Sequence, residues 1–278
     1  MSFQVEIVGL IPAGGHATRL SPLPCSKELF PIGWQVDDMG NMKPKVVSHF
    51  LLDKYKVAGI RKTYFILRKG KWDIPQYYGD GAMVDMDLAY LMMNLPHGHP
   101  FTLDQAFPFT TNNLVAFGYP DILFEPEDAF SQLIRKQAET KASVVLGIFP
   151  IQPDQRWGDF MSFGEGGRIK TIALREPPAA DQRLGWSIAL WTPEFSLFMH
   201  EFLLEAVKQN RFTAPDGKEY SMNHVFQEAL DKGLSMEPVV FDSGFVLDVG
   251  TGEDLLEAQR KQLASAKRMM DQRKQNDK

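Results

Sequence analysis

GLIPAGGHATRLSPLPCSKELFPIG, from Gly9 to Gly33, starts in an apolar run, crosses paired glycines and ends in a second apolar stretch. The run Val5–Pro12 predicts a buried β-strand, and Ala13–Arg19 a binding loop at its end. At Gly14 and Gly15 the missing side chains let backbone N–H groups approach phosphate oxygens closely. Arg19 closes the loop and Lys27 follows it. A planar bidentate donor and a point charge are the two kinds of cation that suit a crowded triphosphate. The spacing meets neither a P-loop nor a dinucleotide fingerprint. Gly-Gly after a strand is common in plain turns, so the weight rests on the whole string.

Downstream, Val46–Ala58 has apolar positions at helical spacing and stops at Gly59. Thr63–Leu67, Leu114–Phe117 and Ser143–Phe149 read as further buried strands, with a helix over Glu125–Thr140 whose first turn is acidic. Strands alternating with helices predict an α/β fold, a mostly parallel sheet with helices on both faces. After Pro150 the pattern changes. Met161–Phe163, Ile169–Ala173 and Trp186–Trp191 are short strands between Gly- and Pro-rich turns, read as an antiparallel embellishment in the second half. Pro193–Gln209 and Tyr220–Lys232 read as helices, and a long helix begins at Glu253. The expected division is one domain over residues 1–252 and a C-terminal helix with a basic tail over 253–278. That tail reads as a solvated, frayed helix end. Its other reading is a docking surface for a partner subunit, which leaves a homo-oligomer open.

Composition narrows the class. A formal net charge of −5 argues against a protein built to grip nucleic acid. Cys25 is the only cysteine, so no internal disulfide forms and a reducing, cytoplasmic compartment is expected. No cationic segment precedes the first apolar run, and no run reaches the length of a membrane span.

The ordered string PAGGHATRLSPLPCSKELFPI followed by KPKVVSHFLL resembles the sugar-1-phosphate nucleotidyltransferases, whose pattern runs close to PAAGxGTRLxPxTxxxPKxLxPI and then KPxI. The resemblance implies a Rossmann-like sheet and a Mg²⁺-dependent enzyme. It would join an NTP-derived NMP to a phosphorylated small-molecule acceptor, a sugar 1-phosphate or similar, releasing pyrophosphate. It implies that Ala13, Gly14 and Gly15, with Gly98 further on, hold the nucleotide. Arg19 would contact the β- and γ-phosphates, and Lys27 the α-phosphate where charge develops. Asp121, in GYPDILF, and Asp248, in FVLDVGTGEDLLEA, stand where the family places its two metal-binding carboxylates. Mg²⁺ is typically held by one or two carboxylates together with substrate phosphates. Alone, each aspartate would read as a turn residue.

The chain also departs from the family. Ala17 stands where a glycine is usual, so a positive φ there would strain the loop. Met93 or Asn94 takes the place of a base-reading Gln. Leu174-Arg175-Glu176-Pro177 replaces a Glu-Lys-Pro, so Arg175 becomes the candidate acceptor-phosphate ligand beside a repelling Glu176. Ser187 stands in for a glycine that packs against the hexose. These two changes lead to the expectation that ordinary hexose 1-phosphates are poor acceptors, with a phosphorylated amino alcohol as an open alternative. His97-Gly98-His99 reads as a solvent-facing loop, because no third metal ligand is apparent. The competing functional reading is a non-catalytic nucleotide- or NDP-sugar-binding regulator on the same fold.

Overall fold

The computed structural model describes residues 5–37, 39–93, 97–152, 160–174 and 183–276. The chain runs β1 (Ile7–Ala13), β2 (Pro31–Val36), β3 (Met42–Val46), α1 (Val47–Val57), β4 (Lys62–Leu67), α2 (Asp73–Tyr78) and β5 (Asp87–Met92). Short helices α3 (His99–Leu103) and α4 (Phe107–Thr110) precede β6 (Leu114–Gly118), β7 (Ile122–Phe124), α5 (Ala129–Thr140) and β8 (Val144–Pro150). Then come β9 (Phe160–Phe163), β10 (Ile169–Leu174), β11 (Leu184–Trp191), α6 (Pro193–Lys208), α7 (Met222–Asp231), β12 (Met236–Val240), β13 (Val246–Asp248) and α8 (Gly252–Asn276).

Seven strands form the central sheet in the order β12-β8-β11-β6-β1-β4-β5. All run parallel except β11, which is antiparallel to both β6 and β8. Alternation along the buried strands divides the core between two faces. Val8, Leu10, Phe117, Leu146 and Trp191 join one cluster with residues of α3, α6 and α7. Ile11, Phe65, Ala116, Val145 and Leu190 join the other with α1, α2 and α5. A third, smaller cluster holds Ile32, Val47, Leu123, Leu247, Val249 and Ala258, seating α8 against the β2–β3 hairpin and the β7–β13 ribbon.

Most local expectations are met, with instructive exceptions. Helix α1 ends as its sequence predicts: Gly59 has φ +77°, its N–H donates to Lys56 O at 3.0 Å and Ile60 N–H donates to Tyr55 O at 2.9 Å. That is the pair of bonds of a Schellman cap. The helix expected from Glu125 starts only at Ala129 and has no acidic residue in its first turn. Pro126 disfavours helical geometry in Glu125 before it, and Asp128 takes the N-cap position, so the three acidic residues stay outside the helix. The Trp186–Trp191 segment is also more than an embellishment. It lies inside the central sheet as β11, because Ile188 and Leu190 fill one face while Ala189 and Trp191 fill the other. A strand apolar on both faces needs cover on both. The small β9–β10 sheet is antiparallel, as expected for the second half.

Candidate active site

The strand order turns at β1, whose neighbours β4 and β6 both follow it in the chain but lie on opposite sides. In open α/β sheets ligands bind outside the C-terminal ends of the strands at such a switch point. A cleft of about 760 Å³ opens here, within the usual range for small-molecule sites. Gly14, Gly15, Arg19, Lys27, Gly98, Asp121, Ser187 and Asp248 all line it, so one cavity gathers candidates drawn from almost the whole chain. Ala13 does not join them: its side chain is fully buried in the core, while its neighbours Pro12 and Gly14 face the cleft. Arg175 and Glu176, like Asn94 and the side chains of the basic tail beyond Ala266, lie outside the described residues.

The cradle is shaped by its glycines and braced from behind. A Cβ at Gly14 would lie 2.6 Å from the sulfur of Met93, so a side chain there would push the flexible Met93 aside. Gly98 has φ +106°, and a Cβ there would stand 2.1 Å from Tyr220 O, so only glycine permits this approach. Ser26 donates to Asp73 through its backbone N–H at 2.6 Å and its hydroxyl at 2.7 Å. Glu28, 1% exposed, pairs with the buried Lys71 at 2.5 and 2.7 Å. Burial pushes the Glu28 carboxyl up and the Lys71 ammonium down, and each limits the other's loss. The two contacts hold Ser26 and Glu28 to the Lys71–Asp73 segment and present Lys27, which stands between them, to the cleft.

The β7–β13 ribbon explains how two aspartates far apart in sequence meet. Its antiparallel register sets Asp248 opposite Ile122, and Val249 N–H donates to Asp121 O at 2.8 Å. Asp121 is 8% exposed and its carboxylate directly accepts the Lys27 ammonium. Burial lowers the Lys27 pKa, but the charge and hydrogen bond of Asp121, with Glu28 and Asp248, outweigh it and the net shift is upward. Arg19 Nη2 lies 3.9 Å from Asp248 Oδ2, its side chain 64% exposed and free to move onto a ligand. Burial, and then the neighbouring charge of Asp121, push Asp248 up to about 6 against the pull of Lys27 and Arg19. A buried carboxylate whose ionised form is disfavoured by burial and a neighbouring carboxylate is one that a bound cation would stabilise. Among the described residues no third His, Cys, Asp or Glu completes a cage. Two oxygen donors facing a polyanion cradle nevertheless fit Mg²⁺, which takes its remaining ligands from phosphates and water.

Ala17 adopts φ +51°. The sequence therefore places a Cβ where the loop needs left-handed backbone, which costs roughly 1–2 kcal/mol. Ala17→Gly is expected to raise stability by about 0.5–1 kcal/mol, read as a higher urea midpoint at unchanged slope. A midpoint at or below that of the unaltered protein would contradict the strain.

Several cleft residues escape sequence reasoning. Arg68 and Lys69 follow β4, whose C-terminal end borders the switch point, so the signal was available. His99, expected to face solvent, lines the cleft with its Nδ1 3.2 Å from Tyr119 Oη, while His97 packs on Phe212 at 4.3 Å. His99 is open to the cleft, yet the dense walls around it push its pKa down by desolvation. Glu219 and Asn223 arrive from the α7 region by tertiary packing, which no local pattern announces. Trp186 Nε1–H donates to Asn223 Oδ1 at 2.5 Å and Trp186 faces Tyr119, giving this end an aromatic wall with polar groups beside it. Ser187 is buried there, its hydroxyl without a hydrogen-bond partner among the described residues.

The profile of the family described as Nucleotidyl transferase matches residues 8–265. The chain belongs to that family. Among curated relatives, glucose-1-phosphate thymidylyltransferase of Mycolicibacterium smegmatis is 26% identical over 90% of this chain and 80% of its own length. The enzyme of the same name from Streptomyces antibioticus is 22% identical, and the chain spans only 65% of that protein. Two solved structures share the nucleotidyltransferase fold. One, described as a candidate glucose-1-phosphate thymidylyltransferase from Bacillus anthracis with sucrose bound, has TM-score 0.73 and 17% identity over 92% of this chain and 95% of that one. The other, a UDP-glucose pyrophosphorylase with UDP-glucose, has TM-score 0.72 and 16% identity over 94% of this chain and all of that one. No helix among the described residues is long and apolar enough to cross a membrane.

Proposed function

We propose that the protein transfers a nucleoside monophosphate from an NTP to a phosphorylated acceptor, of sugar 1-phosphate type, and releases pyrophosphate. One observation carries this: in a chain of the nucleotidyl transferase family, Lys27 pairs with Asp121 and Arg19 with Asp248, and all four line the switch-point cleft. The reaction suits such a site, because phosphoryl chemistry asks a protein for positioning and charge stabilisation more than for covalent participation.

An oxygen of the acceptor's phosphate attacks the α-phosphorus in line. A new P–O bond forms, the bond from the α-phosphorus to the bridging oxygen breaks, and its electron pair leaves with pyrophosphate. Gly14 and Gly15 admit the phosphates close to the backbone, and Lys27 stabilises the charge that gathers on the α-phosphate. Arg19 closes on the β- and γ-phosphates. Asp121 and Asp248 would hold Mg²⁺, which when bound neutralises phosphate charge and orients the transferring group. Tyr119, Trp186, Glu219 and Asn223 offer the acceptor an apolar face beside hydrogen-bonding groups. The names of the curated relatives, glucose-1-phosphate thymidylyltransferases, favour a hexose 1-phosphate over an amino-alcohol phosphate.

A pyrophosphate-release panel tests this, with each common NTP against several sugar 1-phosphates and phosphocholine. Turnover with at least one sugar 1-phosphate is the expected result. Turnover confined to phosphocholine would instead bear out the expectation drawn from Glu176 and Ser187. No turnover with any acceptor, despite tight NTP binding, would replace the enzyme with a regulatory binder.

A further inference from the structure

His99 lines the cleft but has no task in the transfer scheme above. Its ring centre lies 5.2 Å from that of Tyr119, with Nδ1 3.2 Å from Tyr119 Oη. The direction of that hydrogen bond follows from counting protons. Tyrosine carries a single O–H, and among the described residues the only acceptor it meets is His99 Nδ1. The opposite arrangement, with Nδ1–H donating, would leave the phenol proton unplaced. Tyr119 therefore donates to Nδ1, and a neutral ring must carry its own proton on Nε2. Desolvation keeps the ring neutral at ordinary pH. It lowers the His99 pKa, and the upward pull of Asp121, with Lys27 acting downward and Glu219 upward, does not reverse the shift. Nε2 has no hydrogen-bond partner among the described residues, so a ring open to the cleft offers it a neutral N–H.

Glu219 supplies the complementary group. It precedes Tyr220, whose backbone bridges Gly98, the residue before His99. That contact brings two segments far apart in sequence to one end of the cleft, and the charge of Glu219 reaches the His99 ring. Its neighbour Lys218 is engaged with Asp216 at 3.9 Å, and among the described residues Glu219 makes no ion pair or side-chain hydrogen bond. A neutral N–H and an unpaired carboxylate at one end of a cleft suit one kind of ligand group. An alcohol hydroxyl accepts from the first and donates to the second. A phosphate would be repelled by the carboxylate, and an ammonium would leave the N–H unused.

We propose that His99 and Glu219 together read one hydroxyl of the acceptor sugar, with Tyr119 as the positioning residue that fixes which ring nitrogen of His99 donates. The inference rests on the transfer reaction proposed above, with a sugar phosphate as its acceptor. It makes this end of the cleft a filter, because an acceptor lacking that hydroxyl leaves both groups without a partner.

The test takes the fastest sugar 1-phosphate of the pyrophosphate-release panel and its monodeoxy analogues. These are turned over by the unaltered protein, His99→Phe, His99→Gln, Tyr119→Phe and Glu219→Ala. His99 and Glu219 are exposed, and Tyr119→Phe keeps the ring that packs on Phe117 and Trp186, so all four variants should melt like the unaltered protein. With the full acceptor, His99→Phe is expected to raise KM about threefold to tenfold at little changed kcat, the worth of one neutral hydrogen bond. Glu219→Ala should raise it about tenfold or more, because its bond is charged. His99→Gln should recover part of the loss, since a carboxamide can return an N–H near the Nε2 position. With one monodeoxy analogue, and only that one, His99→Phe and Glu219→Ala should cost nothing further. The imidazole nitrogen NMR shifts, assigned by their loss in His99→Phe, should show the Nε2–H tautomer in the unaltered protein and a mixture in Tyr119→Phe. A penalty equal across all analogues, or an Nδ1–H tautomer in the unaltered protein, would overturn the assignment. So would a hydroxyl dependence seen only with nucleotides lacking a ribose hydroxyl. No turnover with any sugar 1-phosphate, alongside the Nε2–H tautomer, would refute the transfer reaction and leave the neutral donor standing.

Discussion

Lys27→Ala is expected to lower turnover by on the order of 10²–10³-fold, the usual effect of removing one preorganised donor from a site of developing charge. Lys27 is suited to such a role because its position is set from three directions. Asp121 holds the ammonium, Asp73 holds Ser26, and Lys71 holds Glu28. The side chain is 19% exposed, so water competes only weakly for its charge. Lys27→Arg should recover part of the loss, since it returns the charge with a different shape. The fold should survive, because Asp121 faces the cleft and can be hydrated once its partner is gone. Unaltered kcat in Lys27→Ala, with an intact far-ultraviolet spectrum, would reduce Lys27 to a partner of Asp121.

Removing either carboxylate should abolish the metal dependence of nucleotide binding. In Mg²⁺ the unaltered protein is expected to bind NTP at least about tenfold more tightly than in EDTA, because the cation offsets repulsion between the polyphosphate and two aspartates. Asp121→Asn and Asp248→Asn should each erase most of that difference in calorimetric titration. Asp248→Asn carries an internal control. Burial and Asp121 already disfavour the ionised Asp248, so neutralising it should leave the ligand-free protein melting no lower than before. Equal affinity with and without Mg²⁺, and both variants silent, would remove the metal from the account.

The sequence announces those parts of the molecule whose signals are local. β1, β4, β6 and β8 are continuous apolar runs, and α1 ends on a glycine that the backbone needs. The cradle is legible for the same reason, since loop, cations and glycines fall within one short string. Edge and hairpin elements were not legible. β5 alternates weakly at the sheet margin, β12 carries Pro238, and β3 holds Pro44 between two lysines. Proline is tolerated in β12 because that strand lies at an edge and pairs only with β8. β11 was misplaced because its brevity suggested an embellishment, whereas its two apolar faces require a central place. In the site, Asp121 and Asp248 could be paired only by resemblance. The register of β7 and β13 that joins them is a tertiary fact. Glu219, Asn223 and His99 depend in the same way on packing between distant segments.

The most direct test of the central claim follows the phosphates themselves. The protein is incubated with Mg²⁺, a sugar 1-phosphate and an NTP labelled in one sample at the α-phosphate and in another at the γ-phosphate. The account predicts that the α-label moves into a nucleotide-sugar while the γ-label is recovered only in pyrophosphate. Release of the γ-label as inorganic phosphate, or an α-label that never leaves the mononucleotides with any acceptor, would contradict it.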